Sequence, residues 1–270
     1  MEIRKGRLVY FSPTGTAKKV VTGIAQGLGA EDAEQIDLTL PETMHQSMSW
    51  FADELAIIGA PVYGGRLPAD AVARFKRMRA EDTLAVLIVT YGNREFDDAL
   101  LELKNLAVEL GFKPIAGGAF IGEHSFASKV LPIANGRPDR LDLNKAVDFG
   151  KKIQQKITAL KSADACADLE VPGSYPYKAQ GARPMQVSPV TNEDACTVCG
   201  TCADVCPTAA ISIDGRVTTI VEQCIRCCAC IKSCPEEARG IDNETWKSIA
   251  IWLNEHCGAR KEPQLFGVDG

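Results

Sequence analysis

Over the first 160 residues, short apolar runs alternate with stretches whose apolar positions return every three or four residues. This is the pattern of a parallel sheet with helices on both faces. The apolar runs predict five strands, at Leu8–Phe11, Glu34–Leu38, Leu55–Ala60, Leu84–Thr90 and Ile115–Ile121. Val20, Ile24 and Leu28 recur at a spacing of four, which predicts a helix over Thr16–Leu28 packed back on the first strand. Further helices are predicted near Ala69–Arg79, Asp97–Leu110 and Leu141–Leu160. Right-handed crossovers then give the strand order 2-1-3-4-5. From Ala163 to Asp194 the pattern gives way to Pro172, Pro176, Pro184 and Pro189 with Gly173, Gly181 and scattered polar residues. That stretch reads as a linker, with Tyr175, Tyr177 and Met185 placed to pack across a domain junction. Trp246, Ile249, Ile251, Trp252 and Leu253 mark an amphipathic helix over Asn243–Cys257, laid against the rest of the chain or open to a partner. The chain divides on this reading into 1–162, a linker 163–190, a cysteine-rich segment 191–242, and a helix with its tail 243–270.

In an open parallel sheet, ligands bind beyond the carboxyl ends of the strands where the strand order reverses. The loops after the first, third and fourth strands are therefore the candidates for a site. The first reads Ser12-Pro13-Thr14-Gly15-Thr16-Ala17: three hydroxyls, a glycine that lets backbone approach closely, and the amides that open a helix, all suited to an anion. It has no lysine in the G-x4-G-K pattern of a nucleoside-triphosphate loop, so a monophosphate suits it better, although Ser and Thr also cap helices for stability alone. The second contains Pro61, Val62, Tyr63, Gly64 and Gly65, and the third Thr90, Tyr91, Gly92, Asn93 and Arg94. Together these loops resemble those of flavodoxins. The resemblance implies FMN, with its phosphate on the first loop, Tyr63 against the ring or simply packed in a turn, Tyr91 on the ring or its edge, and Gly92 and Asn93 hydrogen-bonding the pyrimidine side. Arg94 departs from the acidic surroundings of a flavodoxin flavin; a cation there would favour an anionic reduced flavin, or it is a solvated surface charge. His124, beyond the fifth strand, lies near the expected cofactor edge, and it shares no metal spacing with His45 or His256.

Eight of the eleven cysteines form one pattern written twice: Cys196, Cys199, Cys202 and Cys206 before Pro207, then Cys224, Cys227, Cys230 and Cys234 before Pro235. The period is 28 residues, and it extends to Ile213 and Asp214, which recur as Ile241 and Asp242. Zinc also uses paired C-x2-C, but has no use for a doubled four-cysteine run ending in proline. The segment resembles the bacterial ferredoxin with two 4Fe-4S clusters, in which the fourth cysteine of each run serves the other cluster. That resemblance implies Cys196, Cys199 and Cys202 with Cys234 on one cluster, and Cys224, Cys227 and Cys230 with Cys206 on the other. Cys228 falls where the first repeat has Gly200 and reads as a small buried residue outside the ligand set; Cys166 and Cys257 read as free thiols.

The start of the chain lacks an apolar export segment, and the longest strongly apolar run, Leu84–Val89, is too short to span a bilayer, so a cytoplasmic protein is expected. Disulfides do not fit a soluble cluster protein in a reducing compartment. A formal charge of −5 speaks against nucleic acid and suits docking to a basic patch on a redox partner, as it also suits an ordinary soluble surface. A homodimer is left open. Taken together, the expected fold is α/β: a flavodoxin-like, doubly wound five-stranded sheet followed by a small α+β ferredoxin-like domain. The whole resembles the flavodoxin-ferredoxin fusion proteins. The resemblance implies electron transfer between redox-protein partners through FMN and two 4Fe-4S clusters. Two alternatives stay open, a flavin-dependent reductase of a quinone, nitro compound, disulfide or oxygen, and a non-enzymatic redox sensor.

Overall fold

The computed structural model describes residues 3, 5–45, 47–50, 53–162, 166–179 and 187–268. The chain begins with β1 (Lys5–Tyr10), α1 (Thr16–Gly27), β2 (Glu34–Asp37), β3 (Met48–Trp50) and β4 (Glu54–Pro61). It continues through α2 (Ala69–Phe75), β5 (Met78–Ala80), β6 (Thr83–Tyr91), α3 (Ala99–Glu109), β7 (Phe112–Ile121) and α4 (Arg140–Ala159). The central sheet runs β2-β1-β4-β6-β7 with every one of these pairs parallel, which is the expected 2-1-3-4-5 order. Every residue of β6 is buried, and of β4 all but the last, Pro61, as central strands covered on both faces require. On one face Trp50, Phe75, Leu100, Leu103 and Leu106 form the core; on the other Val20, Ile24, Phe149, Ile153 and Ile157 do. The two helices of the second face meet at glycines: a Cβ on Gly27 would lie 1.9 Å from the Val147 carbonyl oxygen.

Two elements differ from expectation. The helix predicted to reach Arg79 stops at Phe75, because Met78–Ala80 forms a strand paired in parallel with Met48–Trp50, burying Trp50 and Met78. The sheet also has a sixth strand, supplied by the far end of the chain.

The cysteine segment holds β8 (Val190–Thr191), α5 (Thr201–Asp204), β9 (Ile211–Ile213), β10 (Val217–Thr219), α6 (Ala229–Lys232) and β11 (Arg239–Gly240). β9 pairs with β10 and β8 with β11, both antiparallel, so Val190, the last residue of the expected linker, is already in a strand. The duplication is written in the backbone as well as the sequence. Val198, Gly200 and Ala209 have φ of 54, 89 and 50°, and their counterparts 28 residues on, Arg226, Cys228 and Glu237, have 59, 60 and 49°. α7 (Glu244–His256) follows, capped by the Asn243 side chain, and then β12 (Gln264–Phe266), which pairs antiparallel with β7 as the sixth strand.

The linker lies on the first unit over its described part. Asp98 accepts the backbone N–H groups of Ser174 (2.8 Å) and Lys178 (2.6 Å), and Arg66 stacks on the Tyr177 ring. Tyr177 thus packs against the sheet domain, Tyr175 is exposed, and Met185 lies outside the described residues. Among the described residues no helix is long and apolar enough to cross a membrane.

Candidate functional site

The carboxyl ends of β1, β4, β6 and β7 open on one cavity of about 430 Å³, within the range of small-molecule and cofactor sites. Thr14 and Thr16 line it from the first loop, Pro61 to Gly64 from the second, Thr90, Tyr91, Gly92 and Arg94 from the third. Gly122 to Phe126 line it from the loop after β7. Ile225 and Arg226 of the cysteine segment and Ile249, Trp252 and Leu253 of α7 complete the wall. Those last five were missed from sequence; the amphipathic pattern of α7 was visible, but not the surface it would face.

The remaining candidates stand behind this wall. Ser12 accepts the Lys18 N–H through its hydroxyl (3.1 Å), and Gly15 turns the chain into α1 at φ 75°. Ala17 is buried beneath the loop. Gly65, at φ 83°, packs on Asp97, where a Cβ would meet the carboxylate at 2.4 Å. The Asn93 side chain is engaged through its nitrogen, while its Oδ1 is buried with no hydrogen-bond partner among the described residues. Its amide nitrogen donates to the carbonyls of Cys257 (2.6 Å) and Ala259 (2.8 Å). Arg94 is committed to an ion pair with Asp97, neither free in solvent nor unopposed.

Two polar side chains on the cavity wall are desolvated. Tyr91 is 3% exposed, its hydroxyl is buried with no hydrogen-bond partner among the described residues, and burial pushes its pKa up to about 12. A hydrogen-bonding ligand would satisfy it. The His124 Nδ1 accepts the Phe126 N–H (3.0 Å), leaving the ring proton on Nε2. Gly92 makes room for that ring: a Cβ there would lie 2.3 Å from His124 Cδ2. Burial first, then Lys232 and Arg94, push the His124 pKa down to about 4. The unfolded chain takes up this proton near the ordinary value of about 6.5, so the folded state is fully favoured above that pH and loses stability as pH falls toward 4. A thermal-midpoint profile should therefore slope between pH 6.5 and 4 in the parent and flatten in His124→Gln; equal slopes would place the acid sensitivity elsewhere.

One small cavity is lined by Cys196, Cys199, Cys202 and Cys234, another by Cys206, Cys224, Cys227 and Cys230 with Cys228 beside them. Among the described residues no three His, Cys, Asp or Glu side chains gather closely enough for one ion. Each foursome instead surrounds a space, which fits a cluster and not a lone zinc with sulfurs about 2.3 Å away. Backbone amides serve the sulfurs: Ala210 N–H donates to Cys206 Sγ (3.2 Å) and Ala238 N–H to Cys234 Sγ (3.3 Å). Burial pushes the thiols of Cys202 and Cys230 up, and the Arg239 guanidinium draws both back. Ile225 lines both the second cysteine cavity and the large one. Tyr63 is near as well, its hydroxyl pushed well up by burial and then by the Cys227 and Cys228 thiols. Among the described residues, contacts that join the two units here include Arg74 to the Pro207 carbonyl, Lys232 to Glu123, and Lys129 to Glu237 (2.6 Å).

Residues 188–244 match the family model of the 4Fe-4S dicluster domain. The chain joins a flavodoxin-type fold to a 4Fe-4S dicluster domain. No curated protein matches it. Among solved structures it is similar to a flavodoxin from the domain Archaea, at 15% identity over 57% of this chain and 99% of that one, with a TM-score of 0.36. It is similar to a Fusobacterium nucleatum flavodoxin bound to flavin mononucleotide, at 15% over 57% and 98%, TM-score 0.38. A flavone reductase is 10% identical over 61% and 65%, TM-score 0.39. The fold assignment rests on the strand order of the chain itself.

Proposed function

We propose that this chain is an electron-transfer iron-sulfur flavoprotein, with two 4Fe-4S clusters in the cysteine cavities and FMN in the large one. The observation that carries the reading is the shared wall: Ile225 belongs to both the large cavity and the cavity of Cys206, Cys224, Cys227 and Cys230. FMN supplies a centre that can take one electron or two, where clusters take them singly. The Thr14 and Thr16 hydroxyls, with the amides opening α1, hold the phosphate. Tyr91 and His124 orient the ring system through their free hydroxyl and Nε2–H, and Trp252 and Leu253 exclude water from it. Cys199 is exposed whereas Cys227 and Cys230 are buried, so the cluster of the first repeat faces redox-protein partners and the second faces the flavin. A reducing compartment such as the cytoplasm suits these thiolates.

The test is an anaerobic reductive titration followed by absorbance and electron paramagnetic resonance, with iron, sulfide and FMN assayed on the same sample. Two clusters and one FMN, the flavin being reduced as the clusters are, is the expected result. Clusters without flavin after FMN is added would reduce the first unit to a scaffold. Thr14→Ala with Thr16→Ala addresses the site itself. Two charge-assisted hydrogen bonds at about 1.5 to 3 kcal/mol each make flavin binding about 100- to 10,000-fold weaker with iron unchanged. Full flavin occupancy in the double variant would mean the phosphate lies elsewhere.

A further inference from the structure

At one buried position the 28-residue duplication sets a cation against an apolar side chain. Ile211 in the first repeat lines the cavity of Cys206, Cys224, Cys227 and Cys230. Its counterpart in the second repeat is Arg239, which lines the cavity of Cys196, Cys199, Cys202 and Cys234. Ile211 is 9% exposed and Arg239 4%, so an apolar side chain on one side is matched by a cation on the other at similar depth. The guanidinium is held in place by two threonines: Nη1 donates to Thr191 Oγ1 (2.5 Å) and Nη2 to Thr219 Oγ1 (2.6 Å). Those hydroxyls are aimed in turn, at the carbonyls of Val217 and Pro189 (both 3.2 Å). Nη2 also reaches Cys230 Sγ at 3.8 Å, a thiol of the other cavity. Arg239 therefore borders one cysteine cavity and touches the other.

Its protein partners are all neutral. Among the described residues Arg239 makes no ion pair, and its Nε is buried without a hydrogen-bond partner. Of the other deeply buried arginines, Arg137 has Asp142 against it, and Arg74, whose guanidinium donates to the carbonyls of Leu38, Thr39 and Pro207, feels the carboxylates of Asp70, Glu42 and Asp37. Burying a cation with no counter-charge costs several kcal/mol, and a protein keeps one only where something negative compensates it. Iron-sulfur clusters held by four thiolates are anions and gain one more negative charge with each electron taken up.

We propose that Arg239 is the built-in counter-cation of the two cluster cavities, a positioning residue that makes both clusters easier to reduce. The proposal rests on the two-cluster reading above. Its driving force is electrostatic: a fixed cation in a low-dielectric site favours the more negative, reduced state of each cluster, and it stabilises the loaded protein relative to the empty one. One electron per cluster comes from the external reductant, and no bond is made or broken.

The experiment uses the full-length loaded protein, titrated anaerobically with dithionite while cluster reduction is followed by electron paramagnetic resonance. Iron and sulfide are assayed first. Arg239→Met and Arg239→Gln should keep their iron but hold about tenfold less reduced cluster at a fixed potential, a fall of about 59 mV for a one-electron couple. Arg239→Lys, which keeps the charge, should stay within about threefold of the parent. Neutral variants with full iron and parental potentials would overturn the proposal, since mere packing does not predict a potential shift. If both neutral variants lose iron, Arg239→Lys decides: retained iron supports a counter-charge, and lost iron assigns the side chain a structural role only. A parent protein without two clusters would sink the cluster reading itself, a result separable from any difference among the variants.

Discussion

Alanine at Cys227 should halve the iron of the purified chain, while alanine or glycine at Cys228, the next residue, should leave it whole. The two thiols sit in the same short turn and both are buried, so exposure does not distinguish them. Position in the duplicated backbone does. Both line the second cavity with Cys206, Cys224 and Cys230, but Cys227 is the counterpart of Cys199, a member of the repeated four-cysteine run. Cys228 is the counterpart of Gly200; it has the left-handed φ of 60°, and its thiol contacts the Arg226 carbonyl (3.6 Å). A left-handed conformation costs a residue with a Cβ about 1 to 2 kcal/mol and costs glycine nothing of the kind, so Cys228→Gly should match or exceed the parent in thermal midpoint. Iron and sulfide per chain, with the resonance spectrum of the reduced protein, decide between the two. Full iron in Cys227→Ala, or half in Cys228→Ala, would mean that the ligand set is shifted by one residue.

How legible all this was in the sequence depended on whether the determining contacts were local. The cysteine spacing constrains its geometry directly, since three cysteines close in sequence and a fourth beyond a short helix leave little freedom; Cys196, Cys199, Cys202 and Cys234 line one cavity, and Cys206, Cys224, Cys227 and Cys230 line another together with Cys228. The parallel strand order was also legible, because β4 and β6 are continuous apolar runs that only a doubly covered sheet buries. Residues 76–79 were misread because an amphipathic run can close as a helix or pair as a strand. What decided it was Met48–Trp50, some thirty residues earlier, offering a partner. Asn93 was assigned to the ring from its place in a loop. Its amide nitrogen donates to carbonyls more than 160 residues later, a contact no local pattern encodes. The same holds for Ile225 and the α7 residues of the cavity wall, which carry no motif of their own.

The far end of the chain is where this blindness had the largest consequence, and deleting residues 259–270 should loosen flavin binding at least tenfold while leaving the iron in place. Read as a tail, this segment is a strap. Gln264–Phe266 extends the sheet on β7, with Leu265 set opposite Gly118. Arg260 binds Asp139 (2.6 Å), holding that carboxyl well below the usual carboxylate range, and Glu262 binds Lys145 (2.5 Å). Lys261 donates to the Arg94 carbonyl (2.5 Å) and pairs with Glu95, at the loop that follows β6. The Arg137 guanidinium donates to the Lys261 carbonyl (3.0 Å), and Lys156 to that of Gly267 (2.6 Å). Most of the ion pairs are exposed and individually weak, so the strap is strong through its number of attachments and its paired strand. Its mechanical effect falls on α7, whose Ile249, Trp252 and Leu253 form the last wall of the cavity. Without the strap, α7 keeps Trp246 against Phe126, the Asn254 bond to the Pro132 carbonyl (2.6 Å) and the Asn93 bond to the Cys257 carbonyl (2.6 Å), but loses the Asn93 bond to Ala259 and every attachment beyond it. Flavin dissociation followed by recovery of free-flavin fluorescence, beside an iron assay on the same sample, reads the effect. A truncated chain that holds its flavin as tightly as the parent would show that α7 stays closed through its own contacts. In that case the strand on β7 serves only to cover a sheet edge.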